Sequence, residues 1–156
     1  MDTPFCTANC PPELAGFYAE IARRDPEAMR WLFAFHEYCH EIDDLEDGEA
    51  KGVQPSLRIH QRARVVYTLP FYLRHAAELG AVMESVLHLY ADSRLWEKSE
   101  HERQRRMADV FRCSGNLVVL TVARLVGWGW EQQRMISPLL WDMSWRSHHD
   151  AQGNPI

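Results

Sequence analysis

The segment from Asp25 to Gly48 constrains the fold more than any other part of the chain. It opens with Asp-Pro, an N-cap residue followed by a proline suited to the first helical turn, and it ends at a glycine. Between these signals, large apolar side chains recur every three or four residues, as on one face of an α-helix. They are Trp31, Phe35, Tyr38, Ile42 and Leu45. The segment therefore predicts a long amphipathic helix over residues 26–47 that packs through this stripe.

The remaining sequence shows the same pattern of helices between short breaks. Pro11-Pro12 predicts the start of a first helix, and Pro70 and Gly80 predict two further breaks. Other predicted helices cover residues 57–69, 81–98, 100–126 and 138–148, the last one starting at Ser137-Pro138. No strand-like alternation persists. We therefore predict an all-α fold, a single-domain bundle of about six helices over residues 1–156. Flexible ends are predicted at 1–11 and 149–156.

Composition narrows the classes of function. The chain has 156 residues, the size of one ordinary domain, and a formal net charge of -5 without a long basic run. Nucleic-acid binding is therefore not expected, since it needs a concentrated cationic face. The most apolar stretch, 117–130, carries Arg124 and is short for a membrane span. No secretory signal is visible. These observations predict a cytoplasmic protein that does not enter membranes.

The four cysteines fit a cytoplasmic protein with reduced thiols. Cys39 and Cys113 fall inside predicted helices, where cysteine is usually a small core residue. Cys6 and Cys10 are separated by three residues in the leader. Their spacing leaves a disulfide, half a zinc site or two free thiols open.

Residues 36–47, HEYCHEIDDLED, hold two histidines and six carboxylates. No Lys or Arg stands three or four residues from any of these carboxylates within the segment, so they repel one another along the helix. They also crowd the C-terminal end of the helix, where the helix dipole disfavours anions. Such a sequence predicts a bound cation. The alternative is an acidic face that is simply solvated.

Three metal-site patterns overlap in this segment. HExxH at 36–40 is typical of zinc proteases, but no later histidine has the spacing of a third ligand. ExxH at 37–40 is typical of di-iron bundles, which carry it twice, and the chain has it once. DDxxD at 43–47 is the best fit, because closely spaced carboxylates suit Mg²⁺, or Mn²⁺, completed by water and phosphate oxygens.

The stretch WLFAFHEYCHEIDDLEDGE resembles the first aspartate-rich segment of squalene/phytoene-synthase-type isoprenoid synthases. In that family the aspartates hold Mg²⁺ ions that bind a diphosphate, which implies this role for Asp43, Asp44 and Asp47. Glu41-x-x-Asp44 loosely resembles the ExxE pair of all-α nucleoside triphosphate pyrophosphatases. The EYCHxxDD segment also resembles small phage or prophage helical proteins, and that resemblance implies no activity.

Further site residues are expected around these aspartates. Glu37 and His40 are candidate ligands on the same helix, and Glu37 is also the candidate base that activates water. Asp92 and Asp109 are candidate ligands from later helices. Arg112 and Asn116 are candidates for binding a phosphate, although Arg112 could instead neutralise Asp109. The full predicted metal set is Glu37, His40, Asp43, Asp44, Asp47, Asp92 and Asp109.

The first functional hypothesis is a Mg²⁺-dependent protein that binds a small diphosphate-containing ligand, with phosphohydrolase or pyrophosphatase activity. A second is a non-enzymatic helical protein of phage type with an interaction or structural role. A truncated isoprenoid-synthase-like protein and a structural metal at His40 are further alternatives. The six tryptophans raise the option of a homo-oligomer, because an exposed tryptophan pair would indicate an interface.

Overall fold

The chain folds into α-helices joined by short connections, and the computed structural model describes residues 12–23, 25–50, 52 and 54–147. The helices are α1 (Pro12–Ile21), α2 (Pro26–Glu46), α3 (Pro55–Thr68), α4 (Pro70–Arg74), α5 (Ala76–Trp96), α6 (Glu102–Arg112), α7 (Asn116–Leu125) and α8 (Trp130–Ser147). A 3-10 turn, Cys113–Gly115, joins α6 to α7. Within the described residues there is no strand, so the predicted all-α helical bundle is confirmed. The predicted flexible ends, with Cys6 and Cys10, lie outside the described residues.

By its internal contacts the chain divides into two compact units, Met1–Ala76 and Ala77–Ile156, and the single domain stays a prediction. Helices α1 to α4 belong to the first unit. All of α5 except its first residue belongs to the second unit, together with α6, α7 and α8. In the part of the chain that the structure describes, no helix is both long enough and apolar enough to cross a membrane.

Helix α2 forms where the local signals predict it. The Asp25 carboxylate accepts hydrogen bonds from the backbone N–H groups of Glu27 and Ala28, at 2.9 and 3.1 Å, and so caps the first turn. The helix ends at Glu46, and Gly48 follows with φ +74°, a left-handed conformation that glycine adopts without strain. Local signals were sufficient here because both ends of the helix are set by residues next to them.

Trp31 is the centre of the core of the first unit. Its side chain is fully buried, and its ring stacks on Phe35 with centroids 5.4 Å apart. Its indole N–H donates a 3.0 Å hydrogen bond to the carbonyl oxygen of Val66 on α3. That carbonyl has no helical donor, because residue 70 is a proline without an N–H group. The indole therefore satisfies a buried acceptor that the chain itself leaves open.

The predicted apolar stripe of α2 is correct over its N-terminal part only. Trp31 and Phe35 are buried, Tyr38 and Ile42 are half-buried, and Leu45 is exposed. Helices α1, α3 and α4 all contact α2. The core of this unit therefore lies along the first part of α2, and the acidic C-terminal part lies at its edge.

Three predicted boundaries in the later helices are wrong. Helix α5 continues through Gly80, because a glycine costs a helix only about 1 kcal/mol and the neighbouring Leu79 and Met83 are buried. Helix α8 begins at Trp130, and Pro138 lies inside it on an exposed position, flanked by the buried Ile136 and Leu140. The predicted helix over 100–126 is interrupted by the 3-10 turn. In the first two cases, burial outweighs a local helix-breaking signal.

We expect replacement of Trp31 by phenylalanine to destabilise the first unit by about 2–4 kcal/mol. The substitution removes packing volume and leaves the buried Val66 carbonyl without a donor. Urea denaturation followed by circular dichroism measures the change. The matched control is Trp130→Phe on α8, where the side chain is 71% exposed and a change within about 0.5 kcal/mol is expected. Equal effects of the two substitutions would contradict this role for Trp31.

Candidate functional site

Two carboxylates of α2 meet two guanidinium groups of α3. Arg58 Nε lies 3.0 Å from Glu41 Oε2, and Arg62 Nη2 lies 3.0 Å from Glu37 Oε2. Arg62 Nε also lies 4.0 Å from Glu41 Oε1, so Arg62 contacts both carboxylates. We call Glu37, Glu41, Arg58 and Arg62 the α2–α3 ion-pair cluster. Its four members occupy adjacent turns of two antiparallel helices, which is why the charges meet in register.

The carboxylates are on the inner side of the cluster. Glu37 is 5% exposed, whereas the side chains of Arg58 and Arg62 are 35% and 43% exposed. A buried carboxylate is stable only with a partner, and Arg62 provides one. The guanidinium groups keep contact with solvent, where an anionic ligand could reach them.

This cluster corrects the premise that the carboxylates of α2 lack cationic partners. Residues on α2 itself supply no such partner within the segment, and the partners of Glu37 and Glu41 come from α3. The signal that could have found them is the matching spacing of the two pairs. Arg58 and Arg62 are four residues apart, as are Glu37 and Glu41, and antiparallel helices bring such pairs together.

The other predicted ligands on α2 lie beside this cluster or beyond it towards the helix end. His40 is half-buried and packs edge-to-face against His36, with centroids 4.6 Å apart. Asp43 and Asp44 are half-buried, and Asp47 is exposed. The backbone carbonyl of Asp44 accepts hydrogen bonds from the N–H groups of residues 49 and 50, at 2.8 and 2.9 Å. These bonds fold the start of the following loop back over the end of α2.

No three His, Cys, Asp or Glu side chains among residues 12–23, 25–50, 52 and 54–147 form a group that could hold a metal ion. A magnesium site does not require such a group, since one or two carboxylates suffice when water and phosphate oxygens complete the shell. The assignment of Glu37, His40, Asp43, Asp44 and Asp47 as metal ligands stays a prediction.

The predicted site residues of the later helices belong to the second unit. Asp92 is exposed on α5. Asp109 is half-buried on α6 and lines an open groove of about 470 Å³. The groove is lined by Arg106, Asp109, Val110, Cys113, Trp141, Asp142 and Trp145. The metal-binding role of Asp92 and Asp109 also stays a prediction.

Arg112 and Asn116, the predicted phosphate-binding residues, each contact a neighbour within the second unit. Arg112 forms an ion pair with Glu97, which Arg94 also contacts at 3.4 Å. Asn116 is buried, and its side-chain oxygen accepts a 2.9 Å hydrogen bond from the Ser144 hydroxyl of α8. These contacts hold α7 against α8 and the end of α6 against the segment after α5.

The cysteine of the acidic segment is not set up as a nucleophile. Burial and, to a smaller extent, the nearby Asp43 carboxylate together raise the pKa of the Cys39 thiol to about 12. Burial also raises the pKa of the neighbouring Tyr38 hydroxyl. At neutral pH the Cys39 thiol is therefore protonated, and the negative charge of this region comes from carboxylates alone.

Comparison of the chain with protein-family models, with curated proteins and with solved structures finds no match in any of the three. The geometry of the α2–α3 ion-pair cluster and its neighbours is therefore the basis for a function.

We expect Arg62→Gln to destabilise the protein by about 1–3 kcal/mol, more than Glu37→Gln does. Removing the arginine leaves a buried carboxylate with less compensation, whereas removing the carboxylate charge leaves an arginine that solvent already reaches. Denaturant unfolding of both variants measures the difference. The control is Arg64→Gln on the exposed side of α3. A larger loss for Glu37→Gln than for Arg62→Gln would contradict this account.

The Cys39 thiol should make folding stability depend on alkaline pH. Its folded-state pKa of about 12 exceeds the ordinary value of 9.0, so the folded state binds this proton more tightly than the unfolded state. The contribution is complete below pH 9.0 and is lost as the pH rises towards 12. In Cys39→Ala, unfolding free energy should fall less steeply above pH 9.0, by up to about 1.4 kcal/mol per pH unit. Parallel profiles of the two proteins would contradict the expectation.

Proposed function

We propose that the C-terminal part of α2 and the facing side of α3 bind a diphosphate-containing ligand together with Mg²⁺ or Mn²⁺. The observation that carries the proposal is the α2–α3 ion-pair cluster. It holds two partly exposed guanidinium groups one turn apart, beside the aspartates of α2. Guanidinium groups bind phosphate oxygens in a planar, two-point geometry. In the free protein, Glu37 and Glu41 hold these groups in place for the ligand.

The aspartates of α2 are the proposed ligands of the metal ion. Asp44 is three residues after Glu41, so both side chains lie on the same side of α2. Asp43 and Asp47 are one turn apart on the adjacent face. Mg²⁺ bound by one or two of these carboxylates would complete its shell with water and with the oxygens of the ligand. Metal and arginines would together neutralise the diphosphate.

Hydrolysis of the ligand is the second part of the proposal. The sequence assigns Glu37 as the base that activates water, and Glu37 is buried against Arg62. For Glu37 to accept a proton, Arg62 would have to move from Glu37 to the phosphate. Ligand binding can bring this about, since a diphosphate competes with the carboxylate for the same guanidinium. Binding and catalysis are therefore separate outcomes of the tests below.

The non-enzymatic alternative is supported by a different observation. Helix α8 of the second unit exposes large apolar side chains, among them Trp130 at 71% and Met135 at 76%. Isolated exposed apolar residues are common, but several on one helix favour an interaction surface. In this alternative the acidic end of α2 is a solvated face, and the protein acts through its partners.

Binding is tested by thermal melting with Mg²⁺, Mn²⁺, Zn²⁺ and inorganic pyrophosphate, each variant being compared with its own ligand-free melting temperature. We expect Mg²⁺ with pyrophosphate to stabilise the wild type, by about 2.7 kcal/mol at a ligand concentration of 100 times Kd. Arg58→Gln with Arg62→Gln should remove the response to pyrophosphate. Asp43→Asn with Asp44→Asn should remove the response to Mg²⁺. Arg64→Gln should retain both responses.

Two results would contradict the binding proposal. One is a wild type that neither metal with pyrophosphate stabilises. The other is a response that survives in both double variants. Stabilisation by Zn²⁺ alone that is lost in His40→Ala would favour the structural-metal alternative instead.

Catalysis is tested with a panel of nucleoside and prenyl diphosphates, measuring released phosphate or pyrophosphate. Turnover that Glu37→Gln abolishes while pyrophosphate still stabilises the variant would support Glu37 as the base. Turnover of prenyl diphosphates alone would favour the truncated isoprenoid-synthase alternative. If the ligand binds and no substrate of the panel turns over, the protein binds without hydrolysing and the catalytic part fails.

A further inference from the structure

Helix α8 has an exposed face that carries both apolar and charged side chains. Ile136 and Leu140 are buried on its inner face. Met135, Leu139 and Trp145 are exposed on the outer side of the helix, and at 100° per residue Leu139 lies at the edge of this side, about 60° from Ile136. Pro138 lies on the same face, so its missing N–H group removes a bond on the outer side of the helix. This face therefore exposes apolar side chains to solvent along the middle of the helix.

The charges on this face follow an order that complements itself. The charged residues of α8 are Glu131, Arg134, Asp142 and Arg146, and all of them are exposed. Their signs run minus, plus, minus, plus along the helix. Read from the opposite end, the signs are plus, minus, plus, minus. A second copy of the helix running antiparallel therefore places an opposite charge against each one.

The spacing of these charges agrees with a two-fold axis near the middle of the helix. Glu131 and Arg146 are equally far in sequence from the midpoint between Pro138 and Leu139. Arg134 and Asp142 flank the same midpoint to within one residue. The exposed apolar side chains lie between these charged positions or next to them. An apolar centre with a charged rim is the usual anatomy of a protein interface.

We propose that α8 pairs antiparallel with α8 of a second copy of this chain. Leu139 and Met135 pack at the centre. Glu131 faces Arg146 of the second copy, and Arg134 faces Asp142 of the second copy. Such a contact is isologous, because the same surface is used on both chains, and it closes after two copies.

The neighbouring surface extends the proposed interface. Asp142 and Trp145 of α8 also line the groove beside α6, and Val110 of α6 is exposed in that groove. A second copy seated on α8 reaches the edge of this groove and covers its apolar wall. The proposal depends on α8 alone and is independent of ligand binding in the first unit.

The charges of α8 already form pairs within the helix, so the test must keep these pairs intact. Arg134 lies 3.6 Å from Glu131, and Arg146 lies 2.8 Å from Asp142. Exchanging the two members of one pair keeps that pair, the composition and the net charge. It places like charges opposite each other in the antiparallel dimer. The N-half swap is Glu131→Arg with Arg134→Glu, and the C-half swap is Asp142→Arg with Arg146→Asp.

The experiment is sedimentation velocity on the full chain over a range of concentrations. The wild type should form a dimer that weakens as salt is added. Each half swap alone should raise the dimer dissociation constant by about tenfold or more, because every charge then faces its own sign. An equimolar mixture of the two half swaps should restore the dimer, since their charge orders complement each other.

Apolar variants test the centre of the interface. Leu139→Asp should abolish the dimer, and the mixture with wild type should not rescue it. The control is Leu95→Asp on α5, where the leucine is 71% exposed and lies outside the proposed face. Circular dichroism checks that each variant keeps its helix content.

Three results would overturn the proposal. The first is a wild type that stays monomeric at every concentration. The second is half swaps that dimerise as the wild type does, which would place the interface elsewhere. The third is a mixture of half swaps that remains monomeric although both variants are folded. A half swap that loses helix content leaves the decision to the comparison of Leu139→Asp with Leu95→Asp.

Discussion

One hydrogen bond between α2 and α3 satisfies a buried acceptor that a proline leaves open. Pro70 gives the chain its bend between α3 and α4, and it also removes the donor that the Val66 carbonyl would have in a continuous helix. The indole of Trp31 supplies that donor from α2 at 3.0 Å. A buried acceptor without a partner is costly, so this bond ties the two helices at one point. The break at Pro70 therefore leaves an acceptor open, and Trp31 satisfies it.

The same tie sets which charges can meet. Trp31 is opposite Val66. About two turns further along α2 Glu37 is opposite Arg62, and about three turns further Glu41 is opposite Arg58. In these pairs, a higher residue number on α2 goes with a lower residue number on α3, so the two helices run antiparallel. The buried contact of Trp31 with α3 thus sets the register that brings the α2–α3 ion-pair cluster together. The cluster on which the ligand-binding proposal depends therefore follows from packing that has no chemical role itself.

The fold could be predicted where its causes are local. Asp25 and Gly48 set the ends of α2 through their immediate neighbours, and the prediction of α2 was correct. The boundaries predicted at Gly80 and Pro138 were wrong. The free energy that each residue costs its helix is small beside the stabilisation from burial of its neighbours, and that burial depends on other helices. For the same reason only part of the proposed site is visible in the sequence. Its aspartates are visible within one helix, whereas the arginines come from α3 through a register that no single helix reveals. What the site binds remains a proposal.

The 3-10 turn between α6 and α7 has a consequence for how the second unit presents its polar groups. A 3-10 helix advances about 120° per residue and an α-helix about 100°, so three residues rotate the following helix by roughly 60°. Asp109 and Asn116 are seven residues apart, a spacing that puts two side chains on one side of an unbroken helix. After this phase shift, Asp109 lines a groove and Asn116 is buried beside α8. One polar stripe in the sequence thereby meets the same part of α8 at two depths, with Asp109 half-buried in the groove and Asn116 buried against Ser144.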